Sequence, residues 1–175
     1  MNKKIWILIA LPMILGCQTL LGFRQQDTAV DIEQTTQSTT DNYTSDSFVI
    51  NRIYKTNGDL LDQLAMETKR ARSLDLVPFV EFDATWCPPC QAINASLEAQ
   101  DDLTLQAFDG VYLIRIDVDE WGWGDQNNFI VDAIPMYFKL DENGQPTGDK
   151  VDGGSWNEDV PENFAPVLDA FFHGS

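Results

Sequence analysis

Two cysteines stand three residues apart in the stretch VEFDATWCPPCQAI, residues 80–93. Cys87 follows an apolar run that is typical of a strand and precedes a helical pattern. At the N-terminus of a helix, the unpaired amide groups and the positive end of the helix dipole stabilise a thiolate, the reactive form of cysteine. Cys90 lies one turn further along the same face, close enough to form a disulfide. The spacing therefore predicts thiol chemistry at a strand-to-helix junction.

The two prolines between the cysteines affect this chemistry. Pro88 and Pro89 fit the first turn of a helix, where a missing N–H group costs no helical hydrogen bond. They also remove two donors that could point at the sulfur of Cys87. We therefore expect its thiolate to be less stabilised than in the most oxidising proteins that carry such a pair.

Other roles of the cysteine pair can be compared with the sequence. A structural zinc site takes four Cys or His ligands, and the only histidine is His173, which we expect to be a surface residue near the end of the chain. A c-type haem site would need a histidine where Gln91 stands. A purely structural disulfide stays open as an alternative, although closing so small a loop stabilises a fold by only about 2 kcal/mol. No metal site and no cofactor are predicted.

The surrounding pattern predicts the elements that position the pair. Apolar and β-branched runs predict strands at 48–54, 76–84 and 110–119, and a hairpin of two more strands within 134–153. Helical periodicity and capping residues predict helices at 56–73, 91–100, 126–133 and 163–174. Pro166 belongs in a first helical turn, so the last helix should begin near Phe164 or Ala165. Strands that alternate with helices and end in a hairpin indicate a three-layer α/β domain.

The chain opens with a segment that is typical of export. Lys3 and Lys4 precede an apolar run over residues 5–15. This run has the length found in secretory signals and is too short to span a bilayer, which needs about 20 apolar residues.

The apolar run ends in ILGC, residues 14–17, which resembles the lipobox of bacterial lipoproteins. The resemblance implies cleavage before Cys17 and a lipid on its thiol; an ordinary signal peptide with a chance cysteine is the alternative. By the same resemblance, Gln18 at the next position weakly favours the outer membrane of a bacterial cell envelope. Residues 1–16 are thus predicted to be a lipoprotein signal peptide. Residues 17–47, rich in Thr, Gln, Ser and Asp, are predicted to be the lipidated cysteine and a flexible tether.

The composition is strongly acidic. The chain has 28 acidic against 11 basic residues, a formal net charge of −17. Such a surface repels nucleic acid and anionic lipid headgroups, so neither is predicted as a partner. The charge could favour basic client proteins, although solubility explains it equally well. With Cys17 lipidated, Cys87 and Cys90 remain as an even pair in an oxidising compartment.

Taken together, these motifs resemble the thioredoxin superfamily, specifically its lipid-anchored or membrane-tethered extracytoplasmic members. The resemblance covers residues 48–175 and rests on FVEF followed by WCPPC, with the dipeptide Ile134–Pro135 before a hydrophobic strand. It implies a thioredoxin-like three-layer α/β/α domain with a central mixed sheet. It also implies a cis peptide bond before Pro135, and proline is almost the only residue for which that bond is cheap.

The resemblance further implies roles for individual residues. Cys87 would be the attacking thiol and Cys90 the resolving thiol of a redox-active disulfide. Pro135 would lie against that disulfide and help to dock the substrate chain. Trp86 and Ile134 are included with Pro135 as substrate-binding residues.

Charged residues near the pair are also interpreted through this resemblance. Glu81 occupies the position of a buried acid, whose pKa would be raised by desolvation and which would exchange protons with Cys90; a solvent-facing Glu81 is the alternative. Arg115 stands where many thioredoxins have a buried lysine, but we expect a surface residue at the end of a strand. Asp83 replaces the usual aromatic residue, so the floor of the site should be more polar.

The segment DVDEWGWGDQ, residues 117–126, departs from the family pattern. Exposed tryptophans make good binding anchors, so Trp121 and Trp123 could form a substrate lip. The alternative is a glycine-hinged loop whose tryptophans pack on the domain. Its four acidic residues lack the spacing of an EF-hand calcium loop.

The sequence thus predicts a membrane-anchored, extracytoplasmic thiol-disulfide oxidoreductase of the bacterial cell envelope, facing the periplasm. The first hypothesis is a reductase of disulfides in exported client proteins that is itself reduced by a membrane or periplasmic redox partner. A disulfide oxidase or isomerase is the second. The third is a non-enzymatic binding module in which the disulfide is structural.

Overall fold

The computed structural model describes residues 42–174, apart from the side chains of residues 125 and 126. The predicted signal peptide (residues 1–16), the lipid site Cys17 and most of the predicted tether lie outside these residues. Within them, no helix is both long and apolar enough to cross a membrane.

The described chain forms eight strands and five α-helices. The strands are β1 (Asn42–Thr44), β2 (Val49–Arg52), β3 (Val77–Asp83), β4 (Val111–Asp117), β5 (Gly124–Gln126), β6 (Phe129–Val131), β7 (Met136–Leu140) and β8 (Pro146–Asp152). The helices are α1 (Leu60–Ser73), α2 (Pro88–Glu98), α3 (Asp102–Phe108), the single turn α4 (Val118–Trp121) and α5 (Pro161–His173). Asp59 caps α1 and Asp101 caps α3, each through a side-chain oxygen that accepts a backbone N–H.

Six strands form one sheet in the order β1-β2-β4-β3-β7-β8. The strands β2, β4 and β3 run parallel, whereas β7 and β8 add to β3 as an antiparallel pair and β1 is antiparallel to β2. β3 lies in the interior of this mixed sheet. The segment with the two cysteines follows the carboxyl end of β3 directly, so the sheet fixes where that segment starts.

Both faces of the sheet are covered by apolar side chains. On one face, α1 contributes Leu60 and Leu64 to a cluster that also contains Phe82 of β3. On the other face, α2, α3 and α5 pack against Phe79 and its neighbours. The near-continuous apolar run of β3 is explained by this double coverage, and the predicted three-layer α/β fold with a mixed sheet is confirmed.

The prediction of a helix at residues 126–133 is wrong, because β5 and β6 form a separate two-stranded hairpin here. Asn127 and Asn128 form the turn with φ angles of 55° and 75°, a conformation that asparagine tolerates better than most residues. Phe129 and Val131 are buried while Ile130 between them is 58% exposed. This alternation has the period of a strand rather than of a helix.

Two other boundaries differ from the sequence-based predictions. β1 pairs with β2 although it lies before residue 48, where the domain was expected to begin. The last helix starts at Pro161, so Pro166 lies inside it rather than in its first turn. Pro166 and Glu162, one turn before it, both face outward. Water can therefore satisfy the Glu162 carbonyl that has lost its amide donor.

The turn between β7 and β8 packs closely against α1. The side chain of Asp141 organises this turn by accepting N–H groups of Asn143 and Gln145, both at 2.8 Å. Gly144 in the turn has φ +78°, and a Cβ atom placed there would lie 2.8 Å from backbone atoms of Leu64 and Ala65. Glycine is therefore required at this position by both conformation and space.

We predict that Gly144→Ala lowers the free energy of unfolding by about 2–4 kcal/mol, because it combines backbone strain with overpacking against α1. Gly148→Ala is the matched control, since Gly148 has φ +99° but open space around its Cβ position; it should cost only about 1 kcal/mol. Urea denaturation of both variants measures the difference. Equal losses would show that close packing of the turn on α1 contributes nothing.

Candidate active site

Cys87 and Cys90 form a disulfide at the first turn of α2. The two sulfur atoms are 2.11 Å apart and the Cα atoms 5.3 Å apart. Cys87 is the N-cap of α2, and Pro88 and Pro89 follow as its first two residues. The amide of Cys90 donates a hydrogen bond to the sulfur of Cys87 at 3.3 Å. The predicted position of the pair at a strand-to-helix junction is confirmed.

Both cysteines are almost entirely covered. Cys87 is 1% exposed and Cys90 is 2% exposed, whereas the preceding Trp86 is 54% exposed. A thiol from solution therefore cannot reach either sulfur without a local rearrangement. This burial was not expected from the sequence, since nothing in the local pattern shows which residues pack over Cys87.

The peptide bond between Ile134 and Pro135 is cis, as predicted. Pro135 is buried, and its carbonyl accepts the N–H of Gly153 at 3.0 Å. Ile134 is half-buried and packs on the apolar cluster that contains both cysteines. The dipeptide leads directly into β7, so the antiparallel part of the sheet positions it. Its role in substrate docking stays a prediction.

Glu81 lies in a row of polar residues that crosses the interior of the sheet. In the strand register Glu81 is opposite Arg115 of β4 on one side and Tyr137 of β7 on the other. Arg115 Nε donates to Glu81 Oε2 at 2.6 Å, and the Tyr137 hydroxyl donates to Glu81 Oε1 at 2.8 Å. Both carboxylate oxygens of Glu81 are thus hydrogen-bonded.

The expectation that Arg115 is a surface residue is wrong. Arg115 and Glu81 are each 1% exposed, and they form a buried ion pair. The physical reason is register: a guanidinium in the middle of a covered strand must find a carboxylate next to it, because an unpaired buried charge is costly. The solvent-facing alternative for Glu81 is also excluded.

Burial dominates the electrostatics of this row. Desolvation raises the pKa of Glu81, the charge of Arg115 opposes this shift, and the nearby charge of Asp83 reinforces it. Burial also raises the pKa of Tyr137 well above its ordinary value, so its hydroxyl stays a donor to Glu81. The raised pKa expected for Glu81 is confirmed.

A second buried ion pair joins the end of β3 to β2. Two nitrogens of Arg52 donate to the two carboxylate oxygens of Asp83 at 2.8 and 2.7 Å. The side chain of Asp83 is 3% exposed and that of Arg52 is 7% exposed. The sequence predicted that Asp83 makes the floor of the site more polar, but it gave no sign of Arg52 as its partner. Because β4 lies between β2 and β3, only the strand order shows that the side chains of Arg52 and Asp83 can meet. Asp83 is four residues before Cys87, so this bidentate pair holds the strand end that leads into the disulfide.

Of the two tryptophans in residues 117–126, one packs on the domain and the other is exposed, so each agrees with a different one of the two predicted alternatives. Trp121 is 8% exposed and belongs to the core, as the packing alternative predicted. Trp123 is 44% exposed and stacks on Trp86, with ring centroids 6.3 Å apart and an interplanar angle of 25°. The indole N–H of Trp86 donates to Asp119 Oδ2 at 2.6 Å. Trp123 therefore lies beside the residue that precedes Cys87.

Among the side chains that the structure describes, no group of three His, Cys, Asp or Glu residues is arranged to hold a metal ion. Asp117 accepts the N–H of Asp119, and Glu120 accepts the N–H of Lys55, so these acids bond to backbone amides.

His173 is exposed, as expected. Its pKa is raised, chiefly by the carbonyl of Asp109 that it contacts at 2.8 Å.

The raised pKa of Glu81 makes stability depend on pH in a defined direction. The pKa of Glu81 in the folded chain lies above the ordinary 4.5. The contribution of its bound proton to the free energy of unfolding is therefore present at low pH and is lost as pH rises from 4.5 through the folded pKa. We predict that Glu81→Gln gains stability relative to wild type over that window, by at most about 1.4 kcal/mol per pH unit. Urea denaturation at several pH values measures this trend. A stability difference between wild type and Glu81→Gln that stays constant with pH would contradict the prediction.

Comparison with known proteins identifies the family of the chain. A model of the thioredoxin family matches residues 69–165, more than half of the chain. Among solved structures, Trichomonas vaginalis thioredoxin is 25% identical, over 58% of this chain and 82% of that one, with a TM-score of 0.36. Fasciola hepatica thioredoxin is 24% identical, over 53% and 77% respectively, with a TM-score of 0.34. A search of curated protein sequences gave no match. On the family-model match, the chain belongs to the thioredoxin family.

Proposed function

We propose that the chain is an extracytoplasmic, membrane-anchored thiol-disulfide oxidoreductase that reduces disulfides of exported client proteins. The observation that carries the proposal is the Cys87–Cys90 disulfide at the first turn of α2 in a domain of the thioredoxin family. Both cysteines belong to one helical turn, so the bond can open and close without a change of fold.

In the reducing direction, the cycle starts from the dithiol. The Cys87 thiolate attacks one sulfur of a client disulfide, which forms a mixed disulfide and releases the other client sulfur as a thiolate that takes up a proton. The Cys90 thiolate then attacks the Cys87 sulfur and releases the second client sulfur as a thiol. Two electrons pass from chain to client. A membrane or periplasmic dithiol partner returns two electrons and two protons to the chain.

We assign to Glu81 the role of general base that accepts the proton of the Cys90 thiol in the second step. Its raised pKa brings the carboxyl closer to neutral pH, where a general base works most efficiently. Arg115 and Tyr137 hold its two oxygens in place. Docking of the client chain is assigned to Trp86, Ile134 and Pro135.

The prolines of the active-site turn favour reduction over oxidation. Because Pro88 and Pro89 have no N–H group, the amide of Cys90 is the donor that reaches the Cys87 sulfur from this turn. Fewer donors stabilise the thiolate less, and a less stable dithiol form makes a weaker oxidant. An oxidase or isomerase, and a binding module with a structural disulfide, remain the alternatives that the next experiments separate.

We predict a reduction potential for the Cys87–Cys90 couple near that of thioredoxin, roughly −270 mV or below. Equilibration of the full chain in dithiothreitol buffers, with trapping of free thiols, measures it. A value nearer roughly −120 mV would identify a disulfide donor instead.

Catalytic turnover of a peptide disulfide distinguishes an enzyme from a binding module. Cys87→Ser should abolish reduction of a peptide disulfide by the chain, and Glu81→Gln should slow it by roughly 10²-fold. Undiminished binding of a protein partner by Cys87→Ser, with no turnover by wild type, would support the binding module.

The membrane anchor is the second part of the proposal and rests on the sequence. The segment ILGC before Gln18 supports lipidation of Cys17, and the outer membrane is weakly favoured. We predict that the wild-type chain expressed in bacteria fractionates with membranes and incorporates labelled palmitate, and that Cys17→Ser loses both properties. Cys87→Ser is the matched control and should keep both. Membrane association of Cys17→Ser would show that a different segment anchors the chain.

A further inference from the structure

Trp86 and Trp123 form an exposed aromatic surface next to the active-site turn. The two residues are 54% and 44% exposed, and their rings stack with centroids 6.3 Å apart. Large aromatic side chains left in water beside a reactive centre mark an interaction surface more often than a packing defect. We call this stacked pair the tryptophan platform.

The platform is held in place by features that core packing does not require. The indole N–H of Trp86 is fixed by the Asp119 carboxylate at 2.6 Å. Trp123 lies between Gly122 at φ 101° and Gly124 at φ 81°, conformations that residues with a Cβ atom rarely adopt. Trp121, two residues before Trp123, is buried in the usual way. The two glycines therefore allow the chain to leave the core and return Trp123 to the surface against Trp86.

The charge around the platform is negative. Residues 117–124 contain three acidic residues and no basic residue, within a chain of net charge −17. Asp119 is exposed while it accepts the Trp86 N–H, and Glu120 next to it is half-buried. An indole face flanked by carboxylates attracts a cation, because the ring quadrupole and the carboxylate charge act in the same direction.

We propose that the tryptophan platform is the docking surface for client segments that carry lysine or arginine beside the reacting cysteine. This inference rests on the proposed function and specifies its substrate class: basic polypeptide segments with a disulfide. A guanidinium or ammonium of the client stacks on the exposed indole faces and pairs with Asp119. Acidic segments are repelled.

Because the disulfide is buried, docking on the platform should affect the rate at which a client reacts. Cys87 and Cys90 are 1% and 2% exposed in the disulfide form, so we expect a client to reach their sulfurs only through a local rearrangement. A client held on the platform stays beside Cys87 while that rearrangement occurs, whereas a small disulfide in solution does not. Recognition outside the buried pair therefore raises the rate for docked clients selectively.

The test uses the reduced full chain and three disulfide probes. Two are cyclic peptides that differ only in having lysine or glutamate beside the cysteines, and the third is hydroxyethyl disulfide, which is small and uncharged. We expect wild type to reduce the lysine peptide at least about fivefold faster than the glutamate peptide at low salt. Salt should narrow this difference, because exposed charges are screened.

Variants separate the platform from the thiol chemistry. Trp123→Ala should slow reduction of the lysine peptide about fivefold, leave hydroxyethyl disulfide unchanged, and be partly rescued by Trp123→Phe. Asp119→Asn keeps an acceptor for the Trp86 N–H but removes the charge, and should reduce the lysine preference. Met66→Ala, which shortens a 61% exposed side chain on α1, is the control and should behave like wild type.

Two outcomes would overturn the inference: equal rates for the two peptides in wild type, or a loss in Trp123→Ala that is the same for hydroxyethyl disulfide. If wild type reduces none of the probes, the proposed function fails. A binding measurement then tests separately whether the tryptophan platform docks basic peptides. For this, a fluorescein-labelled lysine peptide with serine in place of cysteine is titrated with the oxidised chain. Binding weakened about fivefold by Trp123→Ala but not by Met66→Ala would support the platform. No binding, or equal binding by both variants, would reject it.

Discussion

The buried ion pair between Glu81 and Arg115 constrains the rest of this fold. Both charges lie in the interior of the sheet, on neighbouring parallel strands, at positions directly opposite each other. Moving β3 by one residue relative to β4 would turn one of these charges to the opposite face and leave two buried charges unpaired. The pair therefore specifies the register of β3, and the carboxyl end of β3 sets the position of the disulfide.

The ion pair of Arg52 and Asp83 extends this constraint toward the active site. Asp83 is the last residue of β3, and its bidentate contact with Arg52 links that end to β2 across β4. Asp83 also reinforces the raised pKa of Glu81, so the two pairs are electrostatically linked. A residue with an apolar side chain at position 83 would provide neither effect. Asp83 therefore contributes both to the position of the end of β3 and to the electrostatics of Glu81.

Sequence reasoning predicted those features that depend on local chemistry. The cysteine pair at a helix N-terminus and the buried β3 follow from residues close to one another in the chain, whereas the cis bond before Pro135 was implied by the resemblance to the thioredoxin superfamily. Arg115 was misjudged because its burial depends on which strand lies beside β4. The hairpin at residues 124–131 was misjudged because the alternation of Phe129, Ile130 and Val131 was treated as part of a helix. The stacking of Trp123 on Trp86 depends on tertiary structure alone, and only its flanking glycines gave a signal.

The structure separates the Cys87–Cys90 disulfide from the exposed surface that surrounds it. The disulfide is covered, and the acid of β3 is held by two hydrogen bonds in the interior of the sheet. The exposed residues nearby are aromatic and acidic, and Trp123 among them lies in the loop after α4, a position where substitutions are tolerated more readily than in the core. If the tryptophan platform docks clients as proposed, changes in that loop would alter which chains approach Cys87 while leaving the sheet register and the environment of Glu81 intact. Under the proposed function, the thiol chemistry would therefore depend on β3 and α2, and the choice of client on the segment after β4.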